Sequence, residues 1–439
     1  MTTDTARPVD TLDAATLAKR QSDLRNYILV TGAYWADTLT DGAIRMLVLF
    51  YFYQLGYTPF QVASLFLFYE LFGVITNLFG GYLGARFGLK TTLFMGLGTQ
   101  LVALSLLAFA PPSLLVVPYV MFAQALSGIA KDLTKMSSKS AVKLVAGTTQ
   151  GQLYRWVSLL TGSKNAIKGL GFFLGALLLT LVGFQPALFI LAVLVLVGLI
   201  SAVLLIRGDL GTANAKAKFT QMFSHNRAVN MLAAARIFLF GARDVWFVVG
   251  LPVFFVSVLG WNFWQAGGFM AAWTIGYGMV QAATPGLIRR RVEGAREPDG
   301  RTATGLAFGL AAFPAAIALA LISGFAPALS VVAGLLAFGV IFALNSAVHS
   351  YLILAYTDSD KVAMNVGFYY MANAMGRLAG TVLSGLLYQL GLQWGASGGL
   401  VLCLWASVAF VLAAGGLSLL LPAHTGPRTK PIKLTDLGE

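Results

Sequence analysis

The sequence predicts an all-α integral membrane protein of about twelve transmembrane helices, arranged as two pseudo-symmetric six-helix halves. Three observations carry that prediction: a charge content too low for water, a succession of apolar runs of spanning length, and basic residues confined to every second connection. Only 11% of the 439 residues are charged and 58% are hydrophobic, where a soluble domain carries roughly 25% charged residues. Length alone would suggest two or three soluble domains. A soluble domain, however, does not string together one run after another of the ~20 apolar residues that cross a bilayer. The 48 glycines fit the same reading, since spanning helices use small residues to approach each other closely.

Residues 1–25 are polar and mixed in charge, with Lys19, Arg20 and Arg25 near their end. They lack the apolar core that precedes the cleavage site of a removable signal peptide, so an N-terminal tail is expected. Six spans follow at 26–53, 60–85, 91–110, 114–138, 152–182 and 186–206, forming a first half over 26–206. A charged linker at 207–227 divides the chain. The second half, 228–421, holds spans at 228–257, 263–288, 302–323, 328–356, 362–390 and 396–421, and a tail at 422–439 closes the sequence. The first, fifth, seventh, tenth and eleventh spans exceed the minimal length, so tilt or extension into water is expected.

The connections alternate in character. Those near Gly56–Pro59, Pro111–Ser113, Gly183–Pro186, Gly260–Asn262, Phe325–Pro327 and Gly391–Gly395 carry no charge. The others carry Arg86 and Lys90; Lys139 and Lys143; Arg207, Lys216, Lys218 and Arg227; the run Arg289, Arg290, Arg291, Arg296 and Arg301; and Lys361. Both ends are basic as well, with Arg428, Lys430 and Lys433 at the second. Positive loops stay in the cytoplasm during insertion, and an odd number of spans would break the alternation. Both termini are therefore expected in the cytoplasm of a multi-pass cell-membrane (in bacteria, inner-membrane) protein. The same distribution disposes of a nucleic-acid reading of the net charge of +13, because the basic residues form short clusters rather than one patch.

Other classes are disfavoured in turn. Cys403 is the one cysteine, which leaves no internal disulfide and no thiolate metal site of the usual kind. No Walker-type phosphate loop appears, so ATP hydrolysis by this chain is not indicated and coupling to an ion gradient is the default. No clustered catalytic set or sizeable soluble domain suggests an enzyme, no cofactor is implied, and a monomer is expected.

Two six-helix halves facing each other across a midplane site is the plan of the major facilitator superfamily. A local pattern supports it. The stretch Gly81-Tyr-Leu-Gly-Ala-Arg-Phe-Gly-Leu-Lys90 resembles that superfamily's signature loop, in which glycines permit a tight turn and basic residues, here Arg86 and Lys90, hold the cytoplasmic gate. Ala85 replaces the usual acidic residue, which removes the motif's charge relay and leaves its turn chemistry.

Ionisable groups inside a membrane are costly and normally face protein or water. Thirteen sit within predicted spans: Asp37, Asp41 and Arg45 in the first; Glu70 in the second; Lys131, Asp132 and Lys135 in the fourth; Lys164 and Lys168 in the fifth; Arg236, Arg243 and Asp244 in the seventh; Arg377 in the eleventh. Spans three, six, nine and twelve, the peripheral members of the facilitator plan, have none; spans eight and ten are also empty. Residues four apart share a helix face, so Asp37, Asp41 and Arg45 form one stripe, as do Lys131, Lys135 and Lys139, and Lys164 and Lys168. Eight basic and five acidic groups leave a surplus of +3, and a low-dielectric cavity with that surplus favours an anion.

Arginine suits two-point binding of an oxyanion and lysine a compact charge. Arg45, Lys131, Lys135, Lys164, Lys168, Arg243 and Arg377 are therefore the candidate substrate contacts. A buried carboxylate can carry a proton, which makes Asp37, Asp41 and Glu70 the candidates for coupling, while Asp132 and Asp244 suit charge pairing. Lys135 and Lys139 have a plainer alternative, reaching out to the headgroups. His349 and nearby Asn345 either line the pathway or satisfy backbone groups. Gly169, Gly171 and Gly175 suit close helix packing, and Trp246, Trp261, Trp264 and Trp394 suit an aromatic belt at the outer interface.

Several stretches resemble a narrower group, the organoarsenical efflux permeases of the ArsJ type: Asn26 to Trp35 (NYILVTGAYW), Thr40 to Leu47 (TDGAIRML), Gln124 to Ser140 (QALSGIAKDLTKMSSKS), Leu160 to Gly169 (LTGSKNAIKG), Phe240 to Pro252 (FGARDVWFVVGLP) and Gly376 to Gly380 (GRLAG). The similarity runs over about residues 25–421 and holds most of the intramembrane charges. It implies export of 1-arseno-3-phosphoglycerate beside a glyceraldehyde-3-phosphate dehydrogenase that makes the compound, and hence arsenate resistance. Oxygen-bound pentavalent arsenic needs no thiols. The cavity charges alone are equally compatible with a carrier for phosphorylated metabolites or other organic anions.

Overall fold

The computed structural model describes residues 14–145, 150–208, 210, 226–290, 298–357 and 362–422. Outside them lie most of the central linker, with Lys216 and Lys218, the loop residues Arg291 and Arg296, Lys361, and the tail carrying Arg428, Lys430 and Lys433. Among the described residues there are fourteen α-helices and no strands. The first half contains α1 (Ala14–Gln54), α2 (Pro59–Ser64), α3 (Leu67–Phe87), α4 (Leu89–Ala108), α5 (Val117–Val145), α6 (Gln150–Val182) and α7 (Phe184–Leu205). The second contains α8 (Arg227–Phe247), α9 (Gly250–Ser257), α10 (Phe263–Arg290), α11 (Gly300–Ile322), α12 (Pro327–Ala355), α13 (Val362–Gly391) and α14 (Gly398–Ser418).

These helices occupy the twelve expected segments, with two segments broken and one lengthened. The first helix begins at Ala14, inside the expected tail, because Ala14–Arg25 is built of good helix formers. Its 41 residues reach ~62 Å at ~1.5 Å per residue, about twice the hydrocarbon thickness of a bilayer. Asn26 holds that extension to the end of α7, donating to the Arg207 carbonyl at 2.8 Å and accepting from its N–H at 3.3 Å.

The second span divides into α2 and α3. Thr58 caps α2 by accepting from the Gln61 N–H while the Gln61 side chain accepts from the Thr58 N–H, with Pro59 at the first helical position. The seventh span divides at Val248–Val249, where Pro252 offers no N–H to continue the ladder. The freed N–H groups of Val249 and Gly250 both donate to Ser384 Oγ of α13, at 3.1 and 3.0 Å.

Among the described residues, eight segments are long and apolar enough by length and composition to cross a membrane. Neither α1 nor α5 is among them; these two helices carry six of the thirteen intramembrane charges. The charge-free α7 stands at the other extreme, with Val193, Val197 and Leu204 exposed along its outer face, as a lipid-facing support helix should be.

The packing repeats. In the first half α1 lies on α6 and α7, α3 on α5, and α4 on α5 and α7; in the second, α8 lies on α13 and α14, α10 on α12, and α11 on α12 and α14. The halves meet along two seams, α6 on α10 and α2–α3 on α13. Within each half the tightest crossing is glycine-lined. A Cβ on Gly171 or Gly175 would stand 2.3 Å from the Leu39 carbonyl or 2.1 Å from that of Ala43. One on Gly376 would stand 2.2 Å from the Ile237 carbonyl. The packing role expected of Gly169, Gly171 and Gly175 is borne out.

Cross-half contacts close the side that bears the uncharged loops. Phe50 stacks on Phe263 at 5.0 Å, Gly267 meets Ala176, and the Phe60 N–H donates to Gln389 Oε1 at 3.2 Å. One belt residue is misplaced by the sequence reading. Trp246 is fully buried, edge-on to Trp273 at 5.7 Å and Phe338 at 5.3 Å. The seventh span runs to Ser257 as expected, and Trp246 lies well inside it, where it packs into the core rather than facing the interface. Trp264 and Trp394 are exposed, and Trp261 stacks on Phe255 at 4.3 Å.

Candidate functional site

Helical spacing delivers the stripe on α1 as expected, and each of its charges meets a different neighbour. Asp37 accepts from Thr134 Oγ1 of α5 at 2.5 Å. One turn on, Asp41 accepts from Lys168 Nζ of α6 at 2.7 Å and from Tyr69 Oη of α3 at 2.5 Å. Another turn on, Arg45 donates to Glu70 Oε1 at 2.5 Å and lies over the rings of Phe66 and Tyr69.

Glu70 is the hub. Buried to 1% exposure, it also accepts two bonds from Arg377 of α13, at 2.8 and 2.6 Å. Arg377 Nε is 3.8 Å from Asp244 of α8, which pairs with Arg243 at 2.5 Å. An unbroken chain of alternating charge thus runs Arg45–Glu70–Arg377–Asp244–Arg243, from the first half to the second. The Arg377–Glu70 pair is the link that crosses between halves.

A second cluster surrounds α5. Asp132 accepts from Thr76 Oγ1 at 2.8 Å and from Lys135 Nζ at 3.3 Å, and Lys135 also donates to Asn77 Oδ1 at 3.0 Å. Lys135 therefore turns inward to polar partners rather than out to headgroups, because Asp132 one turn earlier offers a buried counter-charge. Lys131 lies 4.1 Å above the Tyr69 ring and has no carboxylate within ion-pairing distance among the described residues. Lys164 stands one turn from Lys168 on α6 and is engaged by its neighbours.

The acids divide into two kinds. Asp41, Glu70, Asp132 and Asp244 each hold a cation, the arrangement that makes buried charge tolerable. Asp37, only 1% exposed, holds a hydroxyl instead, and its Oδ1 has no hydrogen-bond partner. Arg236 is buried with neutral acceptors, Asn373 Oδ1 at 3.3 Å and the Ser346 carbonyl at 3.2 Å.

Lys90 of the signature loop lies apart from this network. Lys90 donates to the Ile206 carbonyl at 3.0 Å, tying α4 to the end of α7 within its own half. The side chain of Arg86, like those of Lys139 and Lys143, lies outside what is described. Sequence reasoning missed Tyr69, which touches Asp41, Arg45 and Lys131 at once. Its place beside Glu70 was the only available signal, since a single tyrosine in an apolar span looks like core.

The fold agrees with the comparison to known proteins. The sequence profile of the Major Facilitator Superfamily matches residues 30–381, from the start of the α1 stripe to just beyond Arg377. No curated protein matches the chain. With twelve spans in two like-packed halves and a charged midplane between them, the chain belongs to the major facilitator superfamily.

Proposed function

We propose that this secondary transporter exports a small, multiply charged organic anion, and that the anion is the organoarsenical 1-arseno-3-phosphoglycerate supplied by a glyceraldehyde-3-phosphate dehydrogenase. The observation that carries the anion reading is the surplus of cations within the spans, above all Lys131, which has no carboxylate within ion-pairing distance among the described residues. A desolvated cation without a counter-ion is unstable alone and is matched by an anion that arrives with the substrate. The choice of arsenical rests on the resemblance of the charged strings to the ArsJ-type permeases. On this reading the protein sits in the cell membrane with both termini in the cytoplasm, and Arg86 and Lys90 serve the cytoplasmic gate.

The test is arsenate resistance and intracellular arsenic in an arsenic-sensitive cell, with and without the dehydrogenase. Resistance should require the dehydrogenase and fall by about tenfold or more with Lys131→Ala or Arg243→Ala at equal membrane levels, as expected for losing a charge-assisted contact. Unchanged arsenic accumulation with well-expressed protein would remove the arsenical assignment and favour a carrier for phosphorylated metabolites.

Asp37 is the residue assigned to proton coupling, since it is the buried acid without a cation among the described residues. In liposomes, Asp37→Asn is expected to keep substrate exchange while losing accumulation driven by a pH gradient. Gradient-driven accumulation at the wild-type rate in that variant rules the assignment out.

A further inference from the structure

Arg236 is a buried arginine that the charge chain does not use. It is 4% exposed and has no carboxylate within ion-pairing distance among the described residues. Its guanidinium lies 3.9 Å above the Phe240 ring and 4.8 Å from that of Tyr369. From α12, Ser346 accepts its hydrogen bond through the carbonyl, and Asn345 and His349 flank Ser346 on the same helix. Both are fully buried. Neither polar atom of the Asn345 amide has a hydrogen-bond partner, and neither does either ring nitrogen of His349. From α10, Tyr277 and Gln281 both reach Ser346 Oγ at 3.3 Å. Buried polar groups are nearly always satisfied, and unsatisfied polar groups on the helix that a guanidinium without a carboxylate partner touches, inside a membrane protein, are the composition of a ligand site.

We propose that Arg236, Asn345 and His349 form a second oxyanion subsite in the C-terminal half, and that the substrate class is a small molecule with two oxyanion groups, one for each half. This rests on the anion reading above and deepens it. Arg45, Lys135, Lys168, Arg243 and Arg377 each hold a carboxylate. Lys131 in the first half and Arg236 in the second hold none among the described residues, so each half presents a cation without a carboxylate there. The reach is short. Arg243 lies 5.0 Å from the same Phe240 ring that Arg236 covers at 3.9 Å. The two distances add to 8.9 Å, the most that can separate these two guanidinium carbons, so the subsite adjoins the charge chain at its Arg243 end. A ligand gripping one cation in each half binds best when the halves are drawn together, and it thereby selects that state.

Binding to the purified, full-length protein tests this with two probes, inorganic phosphate carrying one oxyanion group and 3-phosphoglycerate carrying two. Wild type is expected to prefer 3-phosphoglycerate by about tenfold or more. Arg236→Gln should erase that preference while changing phosphate affinity less than twofold, and Arg236→Lys should retain part of it. Asn345→Ala should reduce the preference without altering any charge, which keeps the test decisive if Arg236→Gln does not fold. An unchanged preference in Asn345→Ala and in whichever Arg236 variant folds, or an equal loss for both probes, overturns the second subsite and leaves the anion reading standing. Wild type that binds neither probe overturns both.

Discussion

Glu70→Ala is expected to abolish transport and to destabilise the folded protein by about 3–5 kcal/mol, the range seen when one member of a buried ion pair is removed. Glu70 is the shared acceptor of Arg45 and Arg377, so its loss leaves two guanidiniums facing each other in the interior. The charge-swapped double variant Glu70→Arg with Arg377→Glu should not rescue either property. Arg45 would then meet an arginine, and a glutamate at 377 would stand beside Asp244, 3.8 Å from the present Arg377 Nε. A thermal midpoint and transport rate equal to wild type in Glu70→Ala would show that the chain of pairs is not what joins the halves.

Gly376→Val is expected to cut the amount of folded protein at the membrane at least tenfold, through packing alone. Even a single methyl there would sit 2.2 Å from the Ile237 carbonyl. The α8–α13 crossing must then widen, and overpacking of this kind typically costs about 1–3 kcal/mol or more. The widening would also move Arg377, the next residue, away from Glu70. Gly98→Ala and Gly309→Ala are the controls, since nothing lies within 4 Å of a Cβ at either position; both should accumulate normally. Equal levels for all three variants would mean that these helices tolerate separation.

The fold was readable because a membrane imposes a simple code. Span length, the alternation of charged loops and the four-residue spacing of Asp37, Asp41 and Arg45 are local properties, and each survives in the structure. The partners of those charges are not local. Nothing in the sequence joins Glu70 to Arg377, 307 residues away, and the surplus of cations does not reveal which acid satisfies which base. Trp246 misled for a related reason. Tryptophan is the residue of the interface by composition, and only the packing of Trp246 against Trp273 and Phe338 shows that it belongs to the core. The capping of the break at Val248–Val249 by Ser384, 135 residues on, is invisible without the helix packing that delivers it. Lys131 was one of seven candidate contacts and Arg236 was not among them, and only the absence of a carboxylate within ion-pairing distance among the described residues sets these two apart.

The uneven distribution of charge has an electrical consequence. The thirteen midplane groups carry a formal surplus of +3, and each unit charge that shifts across a full membrane potential changes energy by about 2.3 kcal/mol per 100 mV. An empty carrier with this surplus rests with its site communicating with the negative face of the membrane, which in an energised cell is the interior. Loading with a dianion removes most of the surplus and with it most of the bias. On the export reading proposed above, the voltage would act chiefly on the empty return step, bringing the unloaded site back to the side where cargo is collected.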